Sequence, residues 1–190
     1  AMVANVDVDG EPIASTLTMT GREYAILAGE HPVGDNRALV AAAKLLAQGT
    51  LALPSFVDDP GPFPGSGGKG RIIGPQPVDD VERGALGALY AAFVADLCLD
   101  VLGSTTPIVV DGGFATNAAF GALLAALRPD QPVVMSRSKD GTALGAGLLW
   151  GRFERTAPVN SVVLDAATPA PLSGLREMAL RWRLLADAKN

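Results

Sequence analysis

The fold of this chain is decided by the stretch Ile108-Val-Val-Asp-Gly-Gly-Phe-Ala-Thr-Asn117. An apolar, β-rich run meets two glycines and a helix-like segment follows, which predicts a strand, a tight turn and a helix start. Glycine lacks a Cβ and the first N–H groups of a helix are unpaired, so such a junction exposes bare backbone to a ligand. A second glycine-rich helix start follows, Asp140-Gly-Thr-Ala-Leu-Gly-Ala-Gly147. Together they indicate a nucleotide pocket.

The pattern around this stretch predicts an α/β protein. From residue 79 onward, helices and strands alternate at 79–102, 108–111, 115–127, 132–135, 142–151, 159–164 and 173–188, which is typical of a mainly parallel sheet. Upstream, the sequence predicts helices at 22–28 and 36–46 and a strand at 51–57. The alternating runs 2–8 and 13–20 predict a hairpin, which we expect to add antiparallel strands to the sheet.

A segment rich in proline and glycine, residues 58–77, lies between these two parts. It carries Gly65-Ser-Gly-Gly-Lys-Gly70, which superficially resembles a phosphate loop. A phosphate loop requires G-x-x-x-x-G-K-[ST] between a strand and a helix. Here Gly70 follows Lys69 and no helix is predicted to begin there, so the segment is predicted to be a mobile surface loop.

Composition limits the classes of function. The 190 residues are 48% hydrophobic and 18% charged, enough for the core of one domain or of one large half of a two-domain protein. The net charge of −5 argues against nucleic acid and anionic membranes as partners. The N-terminus lacks the pattern of a secretion signal, and we expect a cytoplasmic protein. Because Ala1-Met2 is an unusual start, we also expect a piece of a longer chain.

The glycine turn carries the candidate site residues. Gly112 and Gly113 would let a flat base or a phosphate lie against the backbone, beyond the carboxyl end of a strand. Asn117 falls near the helix start, where its amide can donate and accept hydrogen bonds toward a base or ribose. Spacing alone favours a purely structural role, because Asp-Gly-Gly is an ordinary turn and Asn117 can cap the helix.

Other candidate residues give weaker signals. Asp111 could orient the glycine turn or face a metal-bound phosphate, and the small residues of 141–147 predict close helix packing. Trp182 is predicted to pack against the domain or a neighbour. The single histidine, His31, and the single cysteine, Cys98, cannot form a nucleophile set or a metal site, so neither is predicted.

These pieces, in this order, resemble the C-terminal domain of the FGGY carbohydrate kinases. In that family a strand ends in Gly-Gly, an Asn follows, and a later Ala-Leu-Gly-Ala helix completes the pocket. The resemblance covers nearly the whole chain. Further matching stretches are Ala4-Asn-Val-Asp-Val-Asp-Gly10, Gly21-Arg-Glu-Tyr24, Leu53-Pro-Ser-Phe56, Gly61-Pro-Phe-Pro64, Glu82-Arg83, Ala88-Leu-Tyr90 and Gln131-Pro-Val-Val134.

The resemblance implies an actin-like ATPase (ribonuclease H-like) domain, with a mixed sheet, N-terminal antiparallel strands and helices packed on it. Residues 1–190 would be the C-terminal nucleotide-binding domain of a sugar kinase without its first strands and its N-terminal sugar-binding domain. ATP and Mg²⁺ would be the cofactors, and a sugar or polyol the substrate. By position, Gly113 and Asn117 match the family's nucleotide contacts, while Gly112 and Phe114 would line the adenine side.

The chain departs from the family pattern in one respect. The catalytic aspartate lies in a Gly-Asp segment at the start of this domain in the family, followed by a Gly-Thr phosphate loop, and both would be upstream of residue 1. We therefore assign no catalytic residue and expect no sugar kinase activity from this piece alone. A non-catalytic interaction or regulatory module is the alternative, and a dinucleotide-binding domain is a weaker one because G-x-G-x-x-G is missing. An apolar face exposed by truncation could give a homodimer.

Overall fold

The computed structural model describes residues 2–59, 61–138, 141–153 and 163–187. The strands are β1 Met2–Val6, β2 Pro12–Thr16, β3 Leu51–Leu53, β4 Arg71–Ile73, β5 Ile108–Val110, β6 Val133–Ser136 and β7 Leu164–Ala166. The helices are α1 Thr20–Ala28, α2 Asn36–Ala47, α3 Asp80–Val101, α4 Ala118–Leu127, α5 Gly141–Phe153 and α6 Leu175–Asp187. A short 3₁₀ helix spans Gly112–Thr116. The predicted α/β class is confirmed.

The sheet that positions the glycine turn is mixed. β5 and β6 are parallel, with Val109 opposite Val134, and β6 and β7 are antiparallel, with Met135 opposite Asp165. α4 connects the parallel pair, as a parallel connection requires. The predicted strand at 159–164 falls mostly outside the described residues, and β7 begins at its last residue.

The N-terminal hairpin forms, but the prediction that it extends this sheet was wrong. β1 and β2 pair antiparallel, with Met2 opposite Thr16, and in the described part of the chain they pair only with each other. The Asp7 carboxylate accepts hydrogen bonds from the N–H groups of Asp9 and Glu11, which closes the turn locally. All of β1 is exposed, so the hairpin offers the core no buried face.

The core is organised around α3, which begins as predicted. The Asp79 carboxylate caps it by accepting from the Glu82 N–H at 2.8 Å, and Glu82 accepts from the Val78 N–H at 3.0 Å. The helix is buried on several sides instead of along one stripe, because α1, α2 and α4 all pack against it. Val101, at the last position of the helix, is exposed.

The length and composition of α3 would also suit a membrane-spanning helix. It is the one helix among the described residues with this property, and most of its apolar window is buried inside the protein. That placement is what the core helix of a globular domain shows.

The segment 58–77 is more structured than its composition predicts. It contains β4, which pairs antiparallel with β3. Phe63 is only 5% exposed and its ring meets Trp182 edge to face at 5.6 Å. The surface-loop prediction was therefore wrong for these residues, because one aromatic anchor and a strand pairing outweigh the local composition. A strand, not a helix, follows Lys69, so the rejection of a phosphate loop is confirmed.

The last two helices differ in how they pack. Trp182 of α6 is fully buried and its Nε1 donates to the Ala52 carbonyl at 2.7 Å, which confirms that it packs against the domain. The predicted close packing of α5 is not found. A Cβ at Gly145 or Gly147 would meet no described atom within 4 Å, and only Gly141 is tightly packed, against Asp111.

Candidate functional site

The candidate site lies where the chain leaves β5. The predicted turn and helix start are present, with one difference: Gly112–Thr116 form a 3₁₀ turn and α4 begins only at Ala118. Gly112 has a φ of 72°, a conformation that favours glycine. A Cβ on Gly112 or Gly113 would meet no described atom within 4 Å. The backbone of this turn is therefore open on that side.

Asn117 performs the structural role that its sequence position left open. It is the N-cap of α4, and its Oδ1 accepts a hydrogen bond from the Phe120 N–H at 2.9 Å. Its Nδ2 donates to the Tyr24 hydroxyl at 2.9 Å. Because the side chain is only 7% exposed and both ends are engaged, its orientation is defined by the fold.

A cavity of about 350 Å³ opens beside this asparagine. Three of the four predicted residues line it: Gly113, Phe114 and Asn117. Gly112 is not part of the lining. The remaining wall comes from Thr116 and from four residues of α1 and the α1–α2 loop, namely Gly21, Tyr24, Pro32 and Gly34.

The α1 side of this wall was missed by the sequence reasoning. The Tyr24 ring meets Phe114 edge to face, with 5.3 Å between the ring centroids. Gly34 packs so closely on Asn117 that a Cβ would lie 2.8 Å from its carboxamide carbon. The Gly34 carbonyl accepts from the Ala119 N–H at 2.8 Å, which ties the α1–α2 loop to α4. Nothing in the spacing of residues relates positions 24 and 117.

The electrostatics of the cavity suit a neutral, flat ligand. Its lining contains no Lys, Arg, Asp or Glu. Burial raises the pKa of the Tyr24 hydroxyl, and the hydrogen bond from Asn117 offsets part of that rise. Tyr24 therefore stays protonated at neutral pH. An aromatic and glycine lining with a few hydrogen-bonding groups is typical of sites for heterocyclic ligands.

Asp111 does not cap the glycine turn with its side chain. It stands at the N-cap position of the 3₁₀ turn but makes no side-chain capping hydrogen bond there. Its carboxylate lies against the start of α5, where a Cβ at Gly141 would overlap it. The two glycine-rich helix starts are thus brought together at this edge of the sheet, as the sequence reasoning anticipated.

Comparison with known proteins assigns the family. Residues 1–158 match the family model described as carbohydrate kinase FGGY, C-terminal domain, and the chain belongs to that family. It has the actin-like ATPase fold. The crystal structure of a carbohydrate kinase from Novosphingobium aromaticivorans is similar, with a TM-score of 0.80 and 33% sequence identity. The match covers 97% of this chain and 40% of that one. No curated protein matches the chain.

Proposed function

We propose that this chain is the nucleotide-binding part of an ATP-dependent carbohydrate kinase, and that the cavity beside Asn117 holds the base and ribose of ATP. The observation that carries the proposal is a neutral, aromatic and glycine-lined cavity beyond the end of β5. Open α/β sheets bind ligands at such strand ends. The FGGY family assignment supports a nucleotide as the ligand.

In this proposal the base lies between two walls. The bare backbone of Gly113 and the ring of Phe114 form one wall, and Tyr24 with Gly34 forms the other. Asn117 stabilises both walls, since it caps α4 and donates a hydrogen bond to the Tyr24 hydroxyl. This part of the chain would bind and orient the nucleotide, and it would take no direct part in the chemical step.

The parent reaction would transfer the γ-phosphoryl group of ATP to a hydroxyl of a sugar or polyol. That reaction requires the acceptor hydroxyl, the γ-phosphate and Mg²⁺ to be positioned together. Among the described residues, no group of three or more His, Cys, Asp or Glu side chains could hold a metal ion. Mg²⁺ in kinases is usually held by one or two carboxylates together with the phosphates of the substrate, which does not require such a group. We expect the isolated chain to be inactive, and phosphorylation of any sugar in a panel supplied with Mg-ATP would contradict this.

Nucleotide binding can be tested by calorimetric titration of the chain with ADP and Mg²⁺. Asn117→Ala removes the support of both walls and should weaken binding, whereas Leu184→Ala at an exposed position on α6 should not. Because the first variant also loses a helix cap, worth about 1 kcal/mol, its folding at the titration temperature must be checked. Saturable binding that only Asn117→Ala weakens supports the proposal. No binding at millimolar ADP contradicts it.

A further inference from the structure

Tyr24 borders the cavity, and its hydroxyl proton is available for a hydrogen bond. It accepts the hydrogen bond from Asn117 Nδ2 at 2.9 Å, so its own proton must point elsewhere. Within the described residues, no acceptor for that proton is recorded. The half-buried ring lines the cavity, packs against Phe114 and lies close to Gly87 of α3. Its hydroxyl proton can therefore donate to a ligand in the cavity.

Asn117, in contrast, has little freedom to turn toward a ligand. Its Oδ1 is held by the Phe120 N–H, and Gly34 packs against its carboxamide. Rotation of the amide would leave the first turn of α4 without its cap, which costs about 1 kcal/mol. Of these two lining residues, the tyrosine therefore has the hydrogen-bonding group that is free to meet a ligand.

We infer that the Tyr24 hydroxyl donates a hydrogen bond to an acceptor nitrogen of the bound base. Asn117 is then the positioning residue that orients this hydroxyl. This inference rests on the proposed function, because it needs a base in the cavity. Burial keeps the pKa of Tyr24 above its usual value, so the donor proton is present across the physiological range.

The test is a double-mutant cycle with adenosine as the probe. Tyr24→Phe removes the hydroxyl and keeps the ring. Asn117→Ser keeps an N-cap acceptor, but its side chain is too short to hold the tyrosine. Each single change should weaken adenosine binding, Tyr24→Phe by roughly five- to tenfold, the worth of one net hydrogen bond. The double variant should bind no worse than Tyr24→Phe alone, because the asparagine acts through the tyrosine.

Two outcomes of the cycle would overturn the inference. Unchanged binding in Tyr24→Phe would show that the hydroxyl does not meet the ligand. If the losses of adenosine affinity caused by the two single changes multiply in the double variant, Asn117 contacts the base independently of Tyr24. If the wild-type chain fails to bind adenosine and ADP at all, the proposed function falls together with this inference. Wild-type binding with an unaffected Tyr24→Phe variant removes the inference alone.

A spectroscopic readout separates ligand contact from a merely structural role. The chain has two tyrosines, so 3-fluorotyrosine labelling gives one ¹⁹F signal from Tyr24 and one from Tyr90. Tyr90 is an internal reference, because its hydroxyl donates to Glu23 in the core at 2.7 Å. Tyr24→Phe assigns the signals. Saturating adenosine should shift the Tyr24 signal and leave that of Tyr90 in place. A Tyr24 signal that does not move would contradict direct contact.

Discussion

At the scale of single residues, the Asn117 side chain contributes both to the fold and to the candidate site. Its oxygen completes the first turn of α4 and its nitrogen holds the hydroxyl of Tyr24, which lies 93 residues away in sequence. Gly34 makes this arrangement possible, because any side chain there would collide with the amide. The position of the cavity wall therefore depends on a glycine that carries no chemistry of its own.

Gly34→Ala is expected to disturb the cavity without unfolding the chain. The new Cβ would lie 2.8 Å from the carboxamide of Asn117, so the amide must shift and its contact with Tyr24 must loosen. We predict that the affinity for ADP falls about tenfold, as measured by calorimetric titration. Leu184→Ala, at an exposed position on α6, is the control and should bind ADP normally. Equal affinity of the two variants would contradict this account.

Tyr90 should make the protein sensitive to alkaline pH. Burial, together with the charge of Glu23, raises the pKa of its hydroxyl well above 10 in the folded state. Above about pH 10 the unfolded chain loses this proton first, so the free energy of unfolding should fall by up to ~1.4 kcal/mol per pH unit. Below that pH the contribution is constant.

Urea unfolding of the wild type and of Tyr90→Phe at pH 8 and above pH 10 measures this effect. The wild type should lose more stability between the two pH values than the variant, which has no proton to lose at this position. An equal loss of stability in both proteins would mean that Tyr90 does not cause the sensitivity to alkaline pH. Other groups that titrate in this range contribute equally to both proteins and cancel in the comparison.

At the scale of elements, α6 is part of the core although the family match ends before it, at residue 158. An ion network at the end of α3 supplements the burial of its tryptophan. Arg183 of α6 pairs with Asp96 and with Asp100, the latter at 2.6 Å, and Arg128 at the end of α4 pairs with the same two aspartates. We infer that α6 holds α3 and α4 together.

Trp182→Ala should destabilise the chain by about 3–5 kcal/mol, because it leaves a large cavity among aromatic rings and removes the hydrogen bond to Ala52. Trp182→Phe should cost less. Leu184→Ala on the same helix is the control: that side chain is 76% exposed, and its loss should change stability by no more than about 0.5 kcal/mol. Urea unfolding compares the three, and similar values for Trp182→Ala and Leu184→Ala would contradict the role of α6.

The elements that the sequence predicted well are those defined by local signals. α2 and α3 begin after Asp35 and Asp79, whose carboxylates cap the two helices. β4 was missed because it is three residues long, lies among prolines and glycines, and depends on pairing with β3. The hairpin was predicted correctly, but its predicted addition to the sheet was wrong, because edge pairing is decided by tertiary contacts.

The residues of the candidate site also fall into two groups, those that the sequence predicted and those that it did not. Of the residues that line the cavity, Gly113 and Asn117 were predicted because they lie beside a strand end, and Phe114 was predicted from the family resemblance. Tyr24 and Gly34 were not assigned to it, since only the packing of α1 and its following loop against α4 brings them to the cavity. Gly145 and Gly147 of α5 show the reverse case, where a small-residue pattern predicted packing that the described residues do not show at these positions.

At the scale of the whole molecule, apolar side chains stand exposed on elements that normally bury them. Val109 of β5 and Trp150 of α5 are examples, and Trp150 is 70% exposed. The chain spans 40% of the length of the similar carbohydrate kinase. We propose that these surfaces contact further parts of a longer protein, and that they drive self-association when the chain is alone.

Sedimentation velocity over a range of concentrations tests this. The wild-type chain should form dimers or larger species as concentration rises, and Trp150→Glu should shift the equilibrium toward monomer. Val40→Glu, at an exposed apolar position on α2, is the charge-matched control and should associate like the wild type. A monomeric wild type, or equal effects of both variants, would contradict the proposed role of α5.

The central claim is that the cavity between α1 and the 112–117 turn binds a nucleotide base. Backbone ¹H–¹⁵N spectra of the chain titrated with ADP and Mg²⁺ test it most directly. The account predicts saturable shifts concentrated at the amides of Gly21, Gly34, Gly113 and Phe114, with α6 unaffected. Shifts that are absent at millimolar ADP, or that cluster away from these residues, would contradict it.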